Sequence, residues 1–394
     1  MIFQAFFEWR YKMNKVHITR CEKYDYTMVE QAVAECFEAS PEVKAKLFKG
    51  AKVLVKTNLL MRKNPEDAVT THPAVVEAIV RYLQALDCEP IIGDSPGGPF
   101  NEWNLKGVYK AAGMTAVAER TGCGLNYDTS VVEVHNEKAK LLKTMQIIKI
   151  VQDVDFVITA AKLKTHGMMT YTGAVKNLFG VIPGIIKADY HLKMNNTENF
   201  AEHLVDICEY VNPVFSIIDA IDGMEGDGPS SGIKRHVGLL MSSLNPHALD
   251  VAASKVAGIN QSLIPTLVAA ENRGLVSADY TKLEISGVGL DQIKVEPFKL
   301  PTSINVNFVG GKVPKFVEKF VINNFRSQPV FNHEKCVGCE DCKRSCPPDI
   351  IKMENGRPVP DLNKCIRCFC CHELCPVKAV DIKKHWLHEK LFGQ

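Results

Sequence analysis

Along the first 300 or so residues, short apolar runs alternate with stretches of helical period. KVHIT (15–19), AKVLVKTN (51–58), EPIIGDS (89–95), DFVITAAKLK (155–164), FSIIDAI (215–221) and HVGLLMSS (236–243) are apolar and partly β-branched. Unbroken apolarity suits strands covered on both faces. HPAVVEAIVRYLQAL (72–86) places Val75, Val76, Ile79, Val80 and Leu83 on one stripe. Thr71 or His72 stands near its cap and Pro73 in its first turn, a helix-start signature. HALDVAASKVAGI (247–259) has the same period. Strands alternating with helices predict an α/β layered domain with a mostly parallel sheet.

Farther on, VPKFVEKFVINNFRS (313–327) carries Val313, Phe316, Val317, Phe320, Val321 and Phe325 at helical spacing. Three basic residues accompany the stripe, too few for a membrane-surface helix, so a helix packing the large domain onto the C-terminal segment is expected. Glycines at 310–311 and SQP at 327–329 punctuate its ends. The chain then divides into an extension over 1–12, an α/β domain over 13–310, a connecting helix and linker over 311–333, a cysteine-rich module over 334–382 and a tail over 383–394.

Composition narrows the function classes. Lys and Arg number 47 against 45 Asp and Glu, a net charge of +2, which argues against nucleic-acid binding through phosphates. No apolar run is long enough for a transmembrane segment, and the N-terminus lacks the pattern of a secretory signal. A cytoplasmic protein is expected.

Cysteine usage changes the picture most. Nine of the 14 cysteines lie between 336 and 375. Residues 336–347 and 365–376 each read C-x2-C-x2-C-x3-C-P, the run that holds [4Fe–4S] clusters in two-cluster bacterial ferredoxins. Zinc ribbons do not require the third and fourth cysteines at these spacings. In those ferredoxins the fourth cysteine ligates the other cluster. Carried over, that crossing puts Cys336, Cys339, Cys342 and Cys375 on one cluster and Cys365, Cys368, Cys371 and Cys346 on the other. Cys370 is spare. The module is therefore a small α+β bacterial-ferredoxin-like domain, and its own charge over 331–394, eleven Lys and Arg against nine Asp and Glu, is modest.

The large domain lacks a P-loop, a GxGxxG after a strand, H-E-x-x-H and G-x-S-x-G. Polar residues stand instead at its strand ends: Lys56 and Asn58, Asp94 and Ser95, Lys162 through Gly167, and Asp219 followed by Asp222, Glu225 and Asp227. In an open parallel sheet these ends face one crevice, where ligands bind. Lysines suit an anionic ligand, while carboxylates suit a divalent cation or proton transfer. The expected pocket joins Lys164, as anion anchor, and His166, as proton carrier, to Asp222 and Glu225. Each of these loops taken singly is also ordinary turn chemistry, and His72, His166 and His191 taken singly are ordinary hydrogen-bonded or surface histidines.

KLKTHGMMTYTGAVKNLFGVIPG (162–184), THPAVVEAI (71–79), GDSPGG (93–98), KADYHLK (187–193) and IDAIDGMEGDGP (218–229) resemble the domain-of-unknown-function 362 family, many of whose members carry a C-terminal two-cluster ferredoxin module. The resemblance spans about residues 15–380 and matches the family's motifs at Lys162, Lys164, Thr165, His166, Lys176, Asn177, His191, Asp222 and Glu225. It implies an α/β iron–sulfur-binding protein and leaves the reaction open.

Three functions are compatible with these residues. An iron–sulfur redox protein would pass single electrons between its clusters and a small anionic substrate in the α/β domain or a docked electron-transfer partner. A non-redox isomerase or lyase would keep the clusters as structural elements. A maturation factor would deliver electrons or clusters to another metalloenzyme.

Overall fold

The computed structural model describes residues 14–184, 186–193, 196–302 and 327–383, with side chains omitted at Ala188 and 191–193. The proposed extension, the stripe of 313–326 and the tail beyond Lys383 lie outside these residues.

Eight strands form the path of the main sheet: β1 (Lys15–Arg20), β2 (Lys52–Lys56), β3 (Glu89–Gly93), β4 (Gly124–Leu125), β7 (Phe156–His166), β9 (Phe215–Glu225), β10 (Ile233–Ser243) and β11 (Glu284–Gly287). A hairpin of β5 (Val131–His135) and β6 (Thr144–Ile148) stands apart, and β8 (Thr170–Thr172) pairs back onto β7. The order across the sheet is β11-β1-β10-β9-β7-β2-β3-β4. From β9 to β4 all neighbours run parallel, while β10 is antiparallel to both β9 and β1. The run at 236–243 is thus the antiparallel return of a long β9–β10 hairpin.

Both faces of the sheet are covered, which explains the unbroken apolar runs. On one face, Ile158 and Ala160 of β7 and Ile217 and Ile221 of β9 pack with Val29, Val33 and Phe37 of helix Tyr26–Glu38 and with Val75, Ile79 and Leu83 of helix Pro73–Ala85. On the other, Ala161, Leu163, Ile218 and Ala220 meet Leu249, Val251 and Ala252 of helix Pro246–Val256. Burying each large apolar side chain contributes roughly 1.5–3 kcal/mol. His72 caps the Pro73–Ala85 helix, its Nδ1 accepting from the Ala74 amide.

The cysteine-rich module is built on two antiparallel pairs, β12 (Gln328–Phe331) with β15 (Val380–Lys383), which closes its two ends together, and the hairpin of β13 (Ile351–Glu354) with β14 (Arg357–Pro360). Because β12 belongs to its sheet, the module begins near Gln328 rather than at 334, and part of the expected linker is module structure. Two short helices, Asp341–Arg344 and Cys370–Glu373, occupy equivalent places in the two cysteine motifs. Each is entered through a left-handed residue, Glu340 (φ 64) and Phe369 (φ 60), the turn that wraps each loop around its sulfurs.

Candidate functional site

Two small cavities open inside the module, each about 360 Å³. Cys346, Cys365, Cys368 and Cys371 line one, and Cys336, Cys339, Cys342 and Cys375 line the other. The fourth cysteine of each motif therefore sits with three from the other motif. Backbone amides point at the sulfurs in matching fashion: Gly338 N donates to Cys336 Sγ at 3.4 Å and Arg367 N to Cys365 Sγ at 3.4 Å. Burial pushes the Cys342 thiol up to about 11, and burial with Cys368, Cys365 and Cys346 nearby pushes Cys371 well above the ordinary range. Four desolvated sulfurs facing one void repel as thiolates unless iron compensates them, so each donor set fits a [4Fe–4S] cube.

Cys370 faces neither void. Its thiol shares a hydrogen bond with Cys368, which holds Cys368 down and Cys370 up. It lines instead an open cavity between the module and the α/β domain. The α/β side of the wall includes Lys56, Asn58, Asp94, Lys176, Asn177 and Lys187, and the module side includes Arg344, Cys370, Glu373 and Leu374.

The cavity lies beyond the C-terminal ends of β2 and β3, as the crossing of a parallel sheet predicts. Lys56 ends β2 and Asp94 follows β3, and they form a buried ion pair at 2.6 Å. Asp94 also accepts from Leu59 N at 2.7 Å, and Lys56 donates to Thr57 O at 2.6 Å and Asn177 O at 3.1 Å. A Cβ at Gly180 would collide with Asp94 Oδ1 and Lys56 Nζ, so a glycine lets the 178–181 turn lie on this pair. Asn177 fixes the turn from within, donating to Lys56 O and Thr159 Oγ1 at 3.1 and 2.7 Å.

Lys176 and Lys187 supply cationic heads. Lys187 donates to Ser95 O and to Pro96 O (3.3 Å), and burial, with Lys56 and Lys176 nearby, lowers it to about 7 despite Asp94. Burial likewise lowers Lys176, against the pull of Glu373. Glu373, between Cys371 and Cys375, is pushed up to about 7 by burial while Lys176 and Lys164 draw it back. Lys164 is lowered to about 7, first by burial and then by Lys176 and Lys162.

The other expected site residues are placed differently. Lys162, Lys164 and His166 share one face of β7, as residues two apart in a strand must. Lys162 pairs with Asp219 at 2.9 Å, both fully buried, and Tyr24 bridges them. Lys164 donates to Asn58 Oδ1 (2.7 Å) and Val69 O (2.8 Å). His166 Nε2 lies 3.5 Å from Glu373 Oε1. Asp222 and Glu225 do not join them. β9 continues through Glu225 instead of ending in a loop, so these residues, three apart, face opposite sides of the sheet. Asp222 meets His236 Nδ1 at 2.9 Å and Lys234 at 3.5 Å, and Glu225 accepts from Lys299 N at 3.0 Å. The expected four-residue pocket and the paired-carboxylate cation site of Asp222 and Glu225 are both corrected by this register. His191 lies in helix Ile186–Lys193, with its side chain outside the described residues.

Sequence reasoning missed Glu373 and Lys187. Glu373 occupies one of the three positions between Cys371 and Cys375 of the second motif, which ties it to cluster geometry. Lys187 opens the KADYHLK segment, four residues before His191.

Two family models match the two regions of the chain described above. The family described as "Domain of unknown function (DUF362)" matches residues 53–255, and the "4Fe-4S dicluster domain" matches residues 328–376. The thylakoid-associated protein sll1697 of Synechocystis sp. is 34% identical over 231 residues, covering 57% of this chain and 69% of the relative. Among solved structures, the lactate racemase apoprotein from Thermoanaerobacterium thermosaccharolyticum aligns with a TM-score of 0.38 and 12% identity, over 64% of this chain and 59% of its own. A Thermotoga maritima protein aligns with a TM-score of 0.37 and 11% identity, over 61% of both chains. The chain thus spans about three fifths of each of these structures. Among the described residues, no helix is long and apolar enough to cross a membrane.

Proposed function

We propose, from the premise that the chain belongs to the domain of unknown function (DUF362) family and carries a 4Fe–4S dicluster domain, that it moves single electrons between two [4Fe–4S] clusters and a small anionic substrate held in the cavity between its domains. That it is an iron–sulfur protein follows from the dicluster domain. Two clusters are the number its two four-sulfur voids would take. The carrying observation is that Cys370, Glu373 and Leu374, on the loop that supplies Cys368, Cys371 and Cys375, form one wall of a cavity whose opposite wall presents Lys176 and Lys187.

When bound, such clusters supply one-electron transfer at potentials set by ligation, hydrogen bonds to sulfur and exposure. The chain's own residues would do the rest. Lys176 and Lys187 would hold carboxylate or phosphate oxygens. His166, buried, and the partly buried Glu373 beside it would hold or move the accompanying proton. A partner protein would exchange electrons beside the void of Cys336, Cys339, Cys342 and Cys375, where Val337 is 63% exposed. A cytoplasmic location goes with a soluble electron-transfer partner. We place no cation at Asp222 and Glu225.

The test is anaerobic. Protein reduced with dithionite and freed of it is mixed with small carboxylates that carry a reducible group, unsaturated dicarboxylates and 2-oxo acids, which take up two electrons, one from each cluster, and two protons; cluster reoxidation is followed by the return of visible absorption. A substrate should reoxidise the wild type and fail with Lys176→Ala at unchanged iron content. Clusters that no mild reductant reduces would reject electron transfer in favour of structural clusters in an isomerase or lyase.

A further inference from the structure

On the side of the α/β domain formed by helices Thr197–Val211 and Pro246–Val256, three unlike donors converge. The Cys208 sulfur, a Glu209 carboxylate oxygen and a His247 ring nitrogen all lie within 4.8 Å of one another. Cys208 and His247 are almost fully buried, whereas Glu209 reaches the surface. All three line one open cavity, together with Asn245, Glu271 and Arg273.

Each helix has a local reason to present its donor there. Asn245 caps the second helix, its Oδ1 accepting from His247 N at 2.9 Å, which fixes His247 in the first turn. Asp206, one helical face away from Cys208, is already engaged: it accepts from Arg273 Nη1 and from the amides of Lys140, Leu141 and Leu142. Asp206 thus has its own partners, and Cys208, Glu209 and His247 are the donors that converge on the cavity. His247 Nε2 meets Glu209 Oε1 at 3.0 Å, yet its Nδ1 is buried with no hydrogen-bond partner among the described residues. A buried imidazole nitrogen without a partner is costly, so the protein alone does not meet all of this ring's hydrogen-bonding capacity.

We propose that Cys208, Glu209 and His247 form a binding site for a zinc-class divalent cation, separate from the cysteine module. One thiolate, one imidazole and one carboxylate are the mixed donor set that borderline-soft cations prefer, and alkaline-earth ions do not take thiolate. In tetrahedral zinc, donors about 2.0–2.3 Å from the metal stand roughly 3.3–3.8 Å apart, so donors already within 4.8 Å of one another need to draw together by no more than about 1.5 Å. Three protein ligands leave a fourth position open to the cavity. The site clamps the end of one helix to the start of the next. One turn beyond His247, Asp250 accepts from Ala174 N (2.7 Å) and Val175 N (3.1 Å), the turn that carries Lys176. The clamp thus steadies the substrate cavity from behind.

The experiment uses the full chain with its iron in place, equilibrated with zinc and dialysed against metal-free buffer. Elemental analysis should find about one zinc per chain beside the iron, and zinc K-edge fine structure should show one sulfur at about 2.3 Å with light scatterers at about 2.0 Å. Cys208→Ser should weaken zinc binding by more than about tenfold at unchanged iron. Glu209→Gln, at a surface position that does not threaten folding, should weaken it in the same direction. Absence of retained zinc, four sulfur scatterers (zinc in the cysteine module), or retention unchanged in Glu209→Gln and Cys208→Ser would each overturn the proposal. None of these results depends on whether the clusters transfer electrons.

Discussion

His166 Nε2 of the α/β domain lies 3.5 Å from Glu373 Oε1 of the cysteine module. The ring's orientation is fixed, because its Nδ1 accepts from the amides of Met168 and Met169 at 3.1 and 3.2 Å. Nδ1 is therefore the acceptor and Nε2 carries the proton toward the carboxylate. Glu373 is also pinned by its backbone: its carbonyl accepts from Ser230 Oγ at 2.6 Å. Two segments of the α/β domain thus hold the residue between Cys371 and Cys375, and the module's loop becomes a wall of the cavity rather than an appendage.

The crossed sulfur sets make the first prediction. Anaerobic protein should contain about eight iron and eight sulfide per chain. Cys346→Ala should damage the cluster whose other ligands are Cys365, Cys368 and Cys371. Cys375→Ala should damage the cluster of Cys336, Cys339 and Cys342. Cys370→Ala should leave iron content at the wild-type level, since that thiol only donates to Cys368. Iron lost from Cys370→Ala, or zinc in place of iron and sulfide, would reject this assignment of ligands.

Much of this was legible in the chain because it depends on period and spacing. The stripe of Val75, Val76, Ile79 and Leu83 required a helix, and it is one, from Pro73 to Ala85. The strand-end polar residues Lys56 and Asp94 do converge, because a parallel sheet brings those ends to one edge. Asp222 and Glu225 misled because Asp and Gly there read as turn chemistry. Pairing with β10 carried the strand on to Glu225, and a period of two then separated them. The partners of Lys164 and Lys176 were hidden for a different reason. Glu373 lies about two hundred residues away in the sequence, and only the docking of the module brings it near.

The Lys162–Asp219 pair yields the second prediction. Both side chains are fully buried at 2.9 Å, Tyr24 bridges them, and His72 N also donates to Asp219 at 3.0 Å. Asp219→Ala should lower stability by about 3–5 kcal/mol, since it strands a buried ammonium. Adding Lys162→Met should recover a large part of that loss, because the uncompensated charge goes with it. The measurement is denaturant unfolding of all four species of the double-mutant cycle. A double variant no more stable than Asp219→Ala alone would show that the carboxylate acts through the His72 amide and Tyr24 instead.

Lys187 gives the third prediction, which concerns pH. Burial, reinforced by Lys56 and Lys176, lowers this lysine to about 7, whereas an unfolded lysine titrates near 10.4. Between those values the unfolded chain binds more protons at this position than the folded one, so stability at this site rises with pH from 7 toward 10. Below 7 the lysine is charged in both states and the cost of burying it is at its full size. Lys187→Met removes the titration. Relative to wild type, the variant should gain about 2 kcal/mol near pH 7 and lose that advantage by pH 10. Stability curves for the two proteins that run parallel from pH 7 to 10 would mean that Lys187 is solvated. The same titration withdraws a cation from the cavity, so oxalate, which is fully ionised throughout, should bind wild type less tightly at pH 9 than at pH 6.5. In Lys187→Met that pH dependence should shrink, which ties the partly buried ammonium to anion binding and not to folding alone.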